Sequence, residues 1–193
     1  MTDPATSGRR IAIFGGSFNP PHVGHVLVAS YVLSTEPVDV LMVIPTFQHP
    51  FGKPLAPFEA RLQMCRLALG AWERVEVSSL ERDMGGDSYT VRTLEALQAR
   101  EPDAALALCI GADVLAERHL WHRTEDLDRL ARRIVIGRQG YDNPPEASPP
   151  MPAISSTEIR RLLATGGDVS RLVPRAVAAY IAEHGLYRDA APG

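Results

Sequence analysis

The sequence carries GGSFNPPHVGH at residues 15–25, and this stretch decides how the chain is organised. The apolar run at 11–14 before it is typical of a buried strand, and the longer apolar run at 26–33 after it is typical of a buried helix. Its glycines allow the backbone to approach a ligand closely. Asn19, which precedes two prolines, is pushed into an extended conformation. The stretch is therefore predicted to be a strand-to-helix crossover built to receive a ligand.

Two histidines, His22 and His25, stand three residues apart at the entrance of the predicted helix. At this spacing both rings face one side of a helix, and a helix N-terminus, with its free N–H groups and partial positive charge, favours anions. The combination predicts a polyphosphate cradle. Three simpler interpretations remain: a tight turn at Gly15-Gly16, a zinc site that lacks a second Cys or His cluster, and a structural role for either histidine.

The same residues resemble the His-x-Gly-His signature of the nucleotidyltransferase superfamily. Its members join a phosphate-bearing acceptor to a nucleoside monophosphate and release pyrophosphate. The resemblance implies that His22 and His25 contact the phosphates of ATP and serve catalysis. It also implies that an ATP pocket is formed by residues of the first and fourth strand ends, which are Gly15, Gly16, Ser17, Phe18, Ile110, Gly111 and Asp113.

Composition limits the other possibilities. The chain has 193 residues, of which 45% are hydrophobic, so one domain spanning 1–193 is expected. A net charge of −3 gives no support for nucleic-acid binding. The sequence has no membrane-spanning run, and its polar N-terminus lacks a signal core, so a cytoplasmic protein with a disordered arm at 1–9 is expected. Two isolated cysteines are expected to be buried free thiols. A homo-oligomer is possible.

Strand and helix patterns alternate along the chain. Strands are predicted at 11–14, 40–44, 75–77, 106–110 and 134–136, and helices at 26–33, 58–69, 90–100, around 127–130 and at 174–184. The strands are continuously apolar, which favours a parallel sheet covered on both faces. We therefore expect an α/β fold, a Rossmann-like doubly wound sheet of about five parallel strands with helices on both faces. Ligands bind such sheets at the carboxyl ends of the strands.

A second signature follows a proline-rich connector at 142–152, which is expected to be stiff and exposed, and opens a small C-terminal helical part at 153–187. Ser155 and Glu158 fit a capping box, so the segment is at least a well-capped helix start. It also resembles the Ile-Ser-Ser-Thr-x-Ile-Arg signature of the same superfamily. That resemblance implies a second set of ATP-phosphate ligands, with a catalytic role for the arginine: Ile154, Ser155, Ser156, Thr157 and Arg160.

Three further segments select one branch of the superfamily. SYTVRTL at 88–94 resembles a segment of the bacterial nicotinate-nucleotide adenylyltransferases. Gly111-Ala112-Asp113, with Trp121 eight residues beyond Asp113, resembles another, and the loop ending at Lys53 stands where that family has a substrate-binding loop. The resemblance implies transfer of AMP from ATP to nicotinate mononucleotide in NAD biosynthesis, with Mg²⁺ bound mainly through the ATP phosphates and no dedicated protein metal cage.

The acceptor pocket implied by this resemblance consists of Ser17, Lys53, Tyr89, Thr90, Trp121 and His122. Trp121 would stack on the pyridine ring or, alternatively, close the hydrophobic core. Thr90 and His122 would hold the nicotinate carboxylate through backbone N–H groups. His122 departs from the tyrosine frequent at its position, and Asn19 from a common aspartate. Two alternative functions stay open, a phosphopantetheine adenylyltransferase and a nucleotide-sensing regulator that lacks catalysis.

Overall fold

We analysed a computed structural model, which describes residues 8–115 and 121–188. The five strands form one parallel sheet in the order β3-β2-β1-β4-β5. Their bounds are β1 Arg10–Gly16, β2 Val40–Pro45, β3 Val75–Val77, β4 Ala105–Gly111 and β5 Arg132–Ile136. The predicted parallel α/β sheet is confirmed. Within the described ranges, no helix is long and apolar enough to cross a membrane.

Eight helices lie within the described ranges. They are α1 Val23–Thr35, α2 Phe58–Leu69, α3 Leu80–Met84, α4 Thr90–Arg100, α5 Ala112–Leu115, α6 Thr124–Leu130, α7 Ser156–Ala164 and α8 Arg175–Glu183. The sequence analysis did not predict α3 or α5. It also placed the start of α1 at residue 26, whereas the helix begins three residues earlier, at Val23.

Both faces of the sheet are covered, because alternate residues of each strand enter different cores. In β1, Ile11 and Ile13 pack with the first core cluster, which includes Leu94 of α4, whereas Ala12 packs with the second cluster, which includes Val32 of α1. A third cluster joins α2, α7 and α8 through Met64, Ile159, Val177 and Ile181. This third core fixes the C-terminal helical part against the sheet domain.

The topology places a crevice between β1 and β4. These central strands are neighbours in the sheet, but the chain leaves β1 toward β2 on one side and returns to β4 on the other. Such a switch in direction opens a cleft at the carboxyl ends of the strands. The strand ends at Gly16 and Gly111 therefore lead the chain into the same region.

The proline-rich connector at 142–152 was expected to be exposed, and this expectation is wrong at its centre. Ser148 is only 5% exposed, because its N–H donates to Val135 O and its Oγ accepts from Gly137 N. Further along, Met151 N donates to Gly137 O. The connector thus covers the open edge of β5, where unpaired backbone groups need partners.

The predicted N-terminal arm at 1–9 lies mostly outside the described residues. Arg9, which is described, forms ion pairs with Glu76 of β3 and Glu101. The end of the proposed arm is therefore attached to the sheet domain at this residue.

Candidate active site

A cavity of about 310 Å³ lies at the carboxyl ends of β1, β4 and β5. It brings together most of the predicted ATP-binding residues and the loop lysine. Those that line it are Ser17, Phe18, His22, His25, Lys53, Gly111, Asp113, Ile154, Ser155, Ser156, Thr157 and Arg160. Gly15, Gly16 and Ile110 do not line it and instead form the ends of β1 and β4 behind it.

The histidine pair stands at the start of α1. The two rings stack with centroids 3.7 Å apart, and the His25 ring also lies 4.9 Å from that of Phe18. The backbone N–H of His22 donates to Nδ1 of His25 at 3.0 Å. Since a backbone N–H can only donate, Nδ1 carries no proton, and a neutral His25 ring must carry its proton on Nε2. His25 therefore offers one N–H donor to a ligand.

Gly24 is required between the two histidines. A Cβ at this position would lie 3.0 Å from two atoms of the His22 ring, closer than side chains normally approach. The signature therefore needs glycine for steric reasons, since only a residue without Cβ leaves the His22 ring its place. The left-handed φ of 45° at Phe18 marks the turn that leads into this arrangement.

Both histidines are held neutral. Burial, and secondarily the charge of Arg138, lowers the pKa of His22 to about 4. Burial, followed by the charges of His22 and Arg138, holds the pKa of His25 well below its usual value. Among the buried side-chain polar atoms in the described ranges, His22 Nδ1 alone has no hydrogen-bond partner. This atom is shielded from the cavity and faces the backbone N–H of His25 in a capping-box arrangement, so it belongs to the start of α1.

This neutrality predicts how stability depends on pH. The folded pKa of His22 lies below its unfolded value, so the unfolded chain binds more protons and stability falls as pH drops from about 6.5 toward 4. The loss attributable to His22 alone approaches roughly 3 kcal/mol at the acid end. Urea unfolding between pH 7 and 5 measures this slope in the wild type and in His22→Gln, which cannot titrate there. An equal slope in both proteins would contradict the assignment.

The two phosphate signatures contact each other directly. Ser156 Oγ donates to Pro20 O at 2.9 Å, and Nη1 of Arg160 donates to Asn19 O at 2.9 Å. The Nη2 of Arg160 reaches Thr157 Oγ1 at 3.3 Å. The N-terminus of α7 therefore faces the start of α1 across the cavity, which concentrates hydroxyls, N–H groups and a guanidinium around one space.

Two local expectations are corrected. Ser155 does cap α7, but its Oγ accepts from Thr157 N, and Glu158 pairs with Arg161 instead of completing a capping box. At α1, the N–H of Val23 donates to Leu172 O at 2.8 Å. This helix start therefore offers a ligand fewer free N–H groups than expected. More of the hydrogen bonds to a bound ligand would have to come from the histidine side chains.

Arg138 is a cavity residue that the sequence analysis missed. It lies just beyond the end of β5, after Gly137, and forms an ion pair with Asp113, which lies just beyond β4. Asp113 was expected to form part of the ATP pocket, and the structure gives it Arg138 as a partner within the chain. A Cβ at Gly111 would lie 2.4 Å from Asp113 Oδ1, so a larger residue there would displace this carboxylate. The other lining residues that were not predicted as site residues are Phe14, Asn19, Gly24, Val28, Cys109, Ile136, Gly137, Met151 and Pro152.

The remaining acceptor candidates form a second group beside α4. The rings of Tyr89 and His122 lie 4.7 Å apart, and both Tyr89 and Trp121 pack against the first core cluster. Thr90 is the first residue of α4, and the Tyr89 side chain does not cap that helix. These four residues do not line the cavity of the histidine pair. The core contact of Trp121 agrees with its predicted role in closing the hydrophobic core. Its role in stacking on a pyridine ring stays a prediction.

The loop that carries Lys53 is fastened to the same group. Phe47 N and Gln48 N both donate to Ser88 Oγ, and Gln48 forms an isolated bridge with Asp87. The loop therefore passes from the tyrosine side to the histidine cavity, where Lys53 lines the wall.

No group of three or more His, Cys, Asp or Glu side chains within the described ranges is placed to hold a metal ion. Asp113, the one carboxylate among the lining residues, is paired with Arg138.

Comparison with known proteins agrees with this geometry. The sequence profile described as cytidylyltransferase-like matches residues 13–162. The chain therefore belongs to the cytidylyltransferase-like family. A probable nicotinate-nucleotide adenylyltransferase of Anaeromyxobacter dehalogenans is 53% identical over 186 residues, covering 95% of this chain and 99% of the relative. Another from Thermus thermophilus is 41% identical over 187 residues, covering 93% and 100%. Within the family, the chain belongs to the nicotinate-nucleotide adenylyltransferases.

Solved structures support the fold. The nicotinic acid mononucleotide adenylyltransferase of Plasmodium falciparum, complexed with NaAD, superposes with a TM-score of 0.81 at 20% identity, covering 93% of this chain and 98% of that one. A putative nicotinate-nucleotide adenylyltransferase from Vibrio parahaemolyticus gives a TM-score of 0.72 at 24% identity, covering 94% and 97%. The Rossmann-like architecture predicted from the strand pattern is confirmed.

Proposed function

We propose that this protein transfers AMP from ATP to the phosphate of nicotinate mononucleotide, in the biosynthesis of NAD. A bond forms between an acceptor phosphate oxygen and the α-phosphorus of ATP, and the bond from that phosphorus to the bridging oxygen of the β-phosphate breaks. The products are nicotinate adenine dinucleotide and pyrophosphate. The observation that carries the proposal is the single cavity in which His22 and His25 face Arg160 and the start of α7.

The chemistry asks little of the protein beyond positioning and charge. The acceptor phosphate has a second pKa near 6, so it is largely dianionic at neutral pH and is already nucleophilic. Histidines with lowered pKa values suit this task, because they are weak bases that donate hydrogen bonds to phosphate oxygens without taking up a proton. His25 Nε2 would donate to the phosphates, and Arg160 would offset the charge that moves to the leaving pyrophosphate.

Magnesium would enter on the ATP phosphates and neutralise part of their charge. Asp113 is the lining carboxylate that could approach the magnesium ion. Its negative charge would then be shared between the ion and Arg138. Lys53, exposed and on the loop that borders both groups, would bind an acceptor or triphosphate oxygen. Ser17 would contact the acceptor phosphate from the end of β1. A cytoplasmic location is supported by two buried free thiols, which are typical of reducing compartments.

A screen of acceptors for ATP-dependent pyrophosphate release tests the proposed function. Nicotinate mononucleotide should support turnover, and phosphopantetheine should not. Turnover with phosphopantetheine alone would contradict the acceptor assignment, and the absence of turnover with every phosphate acceptor would contradict the proposed reaction.

Nicotinate mononucleotide should be preferred to its amide counterpart. The uncapped first turn of α4 offers N–H donors, which match a carboxylate but leave an amide NH₂ facing donors. This mismatch costs roughly 1–3 kcal/mol, or about 5- to 150-fold in kcat/KM. The ratio of kcat/KM for the two mononucleotides measures the preference.

Two substitutions at Thr90 provide the control. Thr90→Pro removes one N–H at the first helical position, where proline is tolerated, whereas Thr90→Ala keeps that N–H. Only the proline variant should reduce the preference. Equal kcat/KM values for the two mononucleotides in the wild type would refute the carboxylate pocket while leaving adenylyl transfer intact.

A further inference from the structure

Arg61 of α2 is a buried cation that the proposed reaction does not use. The residue is only 1% exposed. Its Nη1 donates to Ser17 O and its Nε donates to Ala56 O, both at 2.9 Å. Its Cζ also lies 5.5 Å from the centre of the Phe58 ring. The guanidinium is thus held by backbone carbonyls immediately behind the loop that follows β1.

The charge of Arg61 has no carboxylate in contact with it. None of the ion pairs in the described part of the chain includes it. Glu81 attracts it from beyond ion-pair distance, but the Glu81 oxygens accept from Phe47 N and Thr93 Oγ1. Burial still lowers the pKa of Arg61. A buried cation that lacks a contacting anion is destabilising unless another partner is supplied.

Arg61 also belongs to a hydrogen-bond network that fixes the loop between β1 and α1. Asn19, 2% exposed, accepts through Oδ1 from Ala56 N at 3.1 Å and from the Tyr187 hydroxyl at 2.9 Å. Ala56 O accepts from Arg61 in turn. Ser17 and Asn19 both line the cavity, while Arg61 does not. The guanidinium therefore reaches a ligand only through the residues it holds and through its electric field.

We propose that Arg61 is a positioning residue whose buried charge is balanced by the substrate phosphates. It holds Ser17 in the loop after β1 and Ala56 in the loop that leads into α2, and it supplies a positive field behind them that a bound polyphosphate balances. Because the interior screens charges weakly, this field acts at a distance without contact. The identity of the anion as ATP rests on the proposed function, whereas the requirement for a polyphosphate does not.

Charge-changing substitutions at Arg61 test this role. Arg61→Gln keeps amide donors but removes the charge, and Arg61→Lys keeps the charge. Arg82→Gln is a matched control, since Arg82 lies 5.6 Å from the same Phe58 ring but is exposed and paired with Glu59 and Asp83. The melting temperature is measured with and without inorganic triphosphate, and KM for ATP and kcat are measured by pyrophosphate release.

Arg61→Gln should lose at least half of the triphosphate-induced rise in melting temperature and raise KM for ATP roughly tenfold, with kcat changed less than about threefold. Arg61→Lys and Arg82→Gln should keep both values close to wild type. An Arg61→Gln variant that melts earlier but retains the triphosphate effect and KM would show a purely structural role and overturn the proposal.

A second pair of variants leaves Arg61 in place. Phe58 is only partly buried, so Phe58→Glu gives Arg61 a carboxylate neighbour, and Phe58→Gln removes the ring without adding charge. The glutamate variant should have a KM for ATP roughly fivefold above that of the glutamine variant, because Arg61 is then balanced within the chain. Equal KM values overturn the proposal even where Arg61→Gln fails to fold.

The two proposals fail in distinguishable ways. If the wild type does not turn over ATP with nicotinate mononucleotide, but triphosphate stabilises the wild type and not Arg61→Gln, the proposed function is wrong and the role of Arg61 stands. If the wild type is active and all Arg61 and Phe58 variants bind triphosphate and ATP as it does, the role of Arg61 is wrong and the proposed function stands.

Discussion

Replacing His25 with alanine should lower kcat for pyrophosphate release by roughly 10²- to 10³-fold. His25 Nδ1 accepts from His22 N, so its Nε2–H is a donor that is oriented before substrate binds. A fixed donor acts most strongly on charge that develops in the transition state, and the site need not reorganise to use it. The KM for nicotinate mononucleotide should change less than about threefold, since the proposed acceptor-ring residues lie outside the cavity of the histidine pair.

Two controls separate this effect from loss of folding. His25→Gln places an amide donor near the position of Nε2 and should recover part of the rate. His184, the C-cap of α8, also stacks on an aromatic ring, that of Tyr180, but it does not line the cavity. His184→Ala should therefore leave the rate unchanged. If His25→Ala retained a rate within a few-fold of wild type, the assignment of the histidine pair to the phosphates would be wrong.

Because both histidines are neutral, the rate should not depend on their protonation near neutral pH. Because the pKa of His22 is lowered to about 4, the rate should not follow a histidine titration between pH 6 and 8. The second pKa of the acceptor phosphate, near 6, should instead control the acid side of the rate profile.

The sheet could be predicted from the sequence because its strands are buried on both sides. Residues 40–44 and 106–110 are continuously apolar, and only a covered parallel sheet requires that pattern. The helices on both faces followed from the alternation of these strands with helical segments. The sequence of strands along the chain could not give their order in the sheet, since it does not specify on which side of β1 the strand β4 pairs.

The start of α1 was misplaced for a nonlocal reason. Gly24 is a poor helix former, so local preference favoured a helix that begins with the apolar run after it. In the structure, Val23 N donates to Leu172 O, a partner nearly 150 positions away along the chain. The short helix α3 was missed for a similar reason, because Glu81 is held by contacts with Phe47 and Thr93 instead of by a helical pattern.

Site residues with a local signature were predictable, and those defined by tertiary contact were not. The two phosphate signatures predicted that His22, His25 and Arg160 are site residues. Arg138 carries no motif, but it follows a strand end, as do Ser17 and Asp113, and the same rule applied to β5 would have found it. Arg61 looks like an ordinary polar helix position, since only packing against the loop behind β1 reveals its burial.

Arg160→Ala should lower kcat/KM for ATP by roughly 10²-fold and reduce the melting temperature by only a few degrees. Arg160 lies in the second turn of α7, where a cation gains nothing from the helix dipole. Two of its donors hold Asn19 O and Thr157 Oγ1. A guanidinium has five N–H donors, so others remain for a phosphate in the cavity that it lines.

The neighbouring arginine supplies the control for this substitution. Arg161 is exposed, pairs with Glu158 and does not line the cavity, so Arg161→Ala should retain kcat/KM for ATP. Arg160→Lys keeps the charge but loses the fork of donors, and it should fall between wild type and Arg160→Ala. The decisive measurement is kcat/KM for ATP beside the melting curve of each variant. An Arg160→Ala protein that melts far earlier than wild type but turns over ATP normally would assign Arg160 to holding α7 on the loop at Asn19, with no part in binding the phosphates.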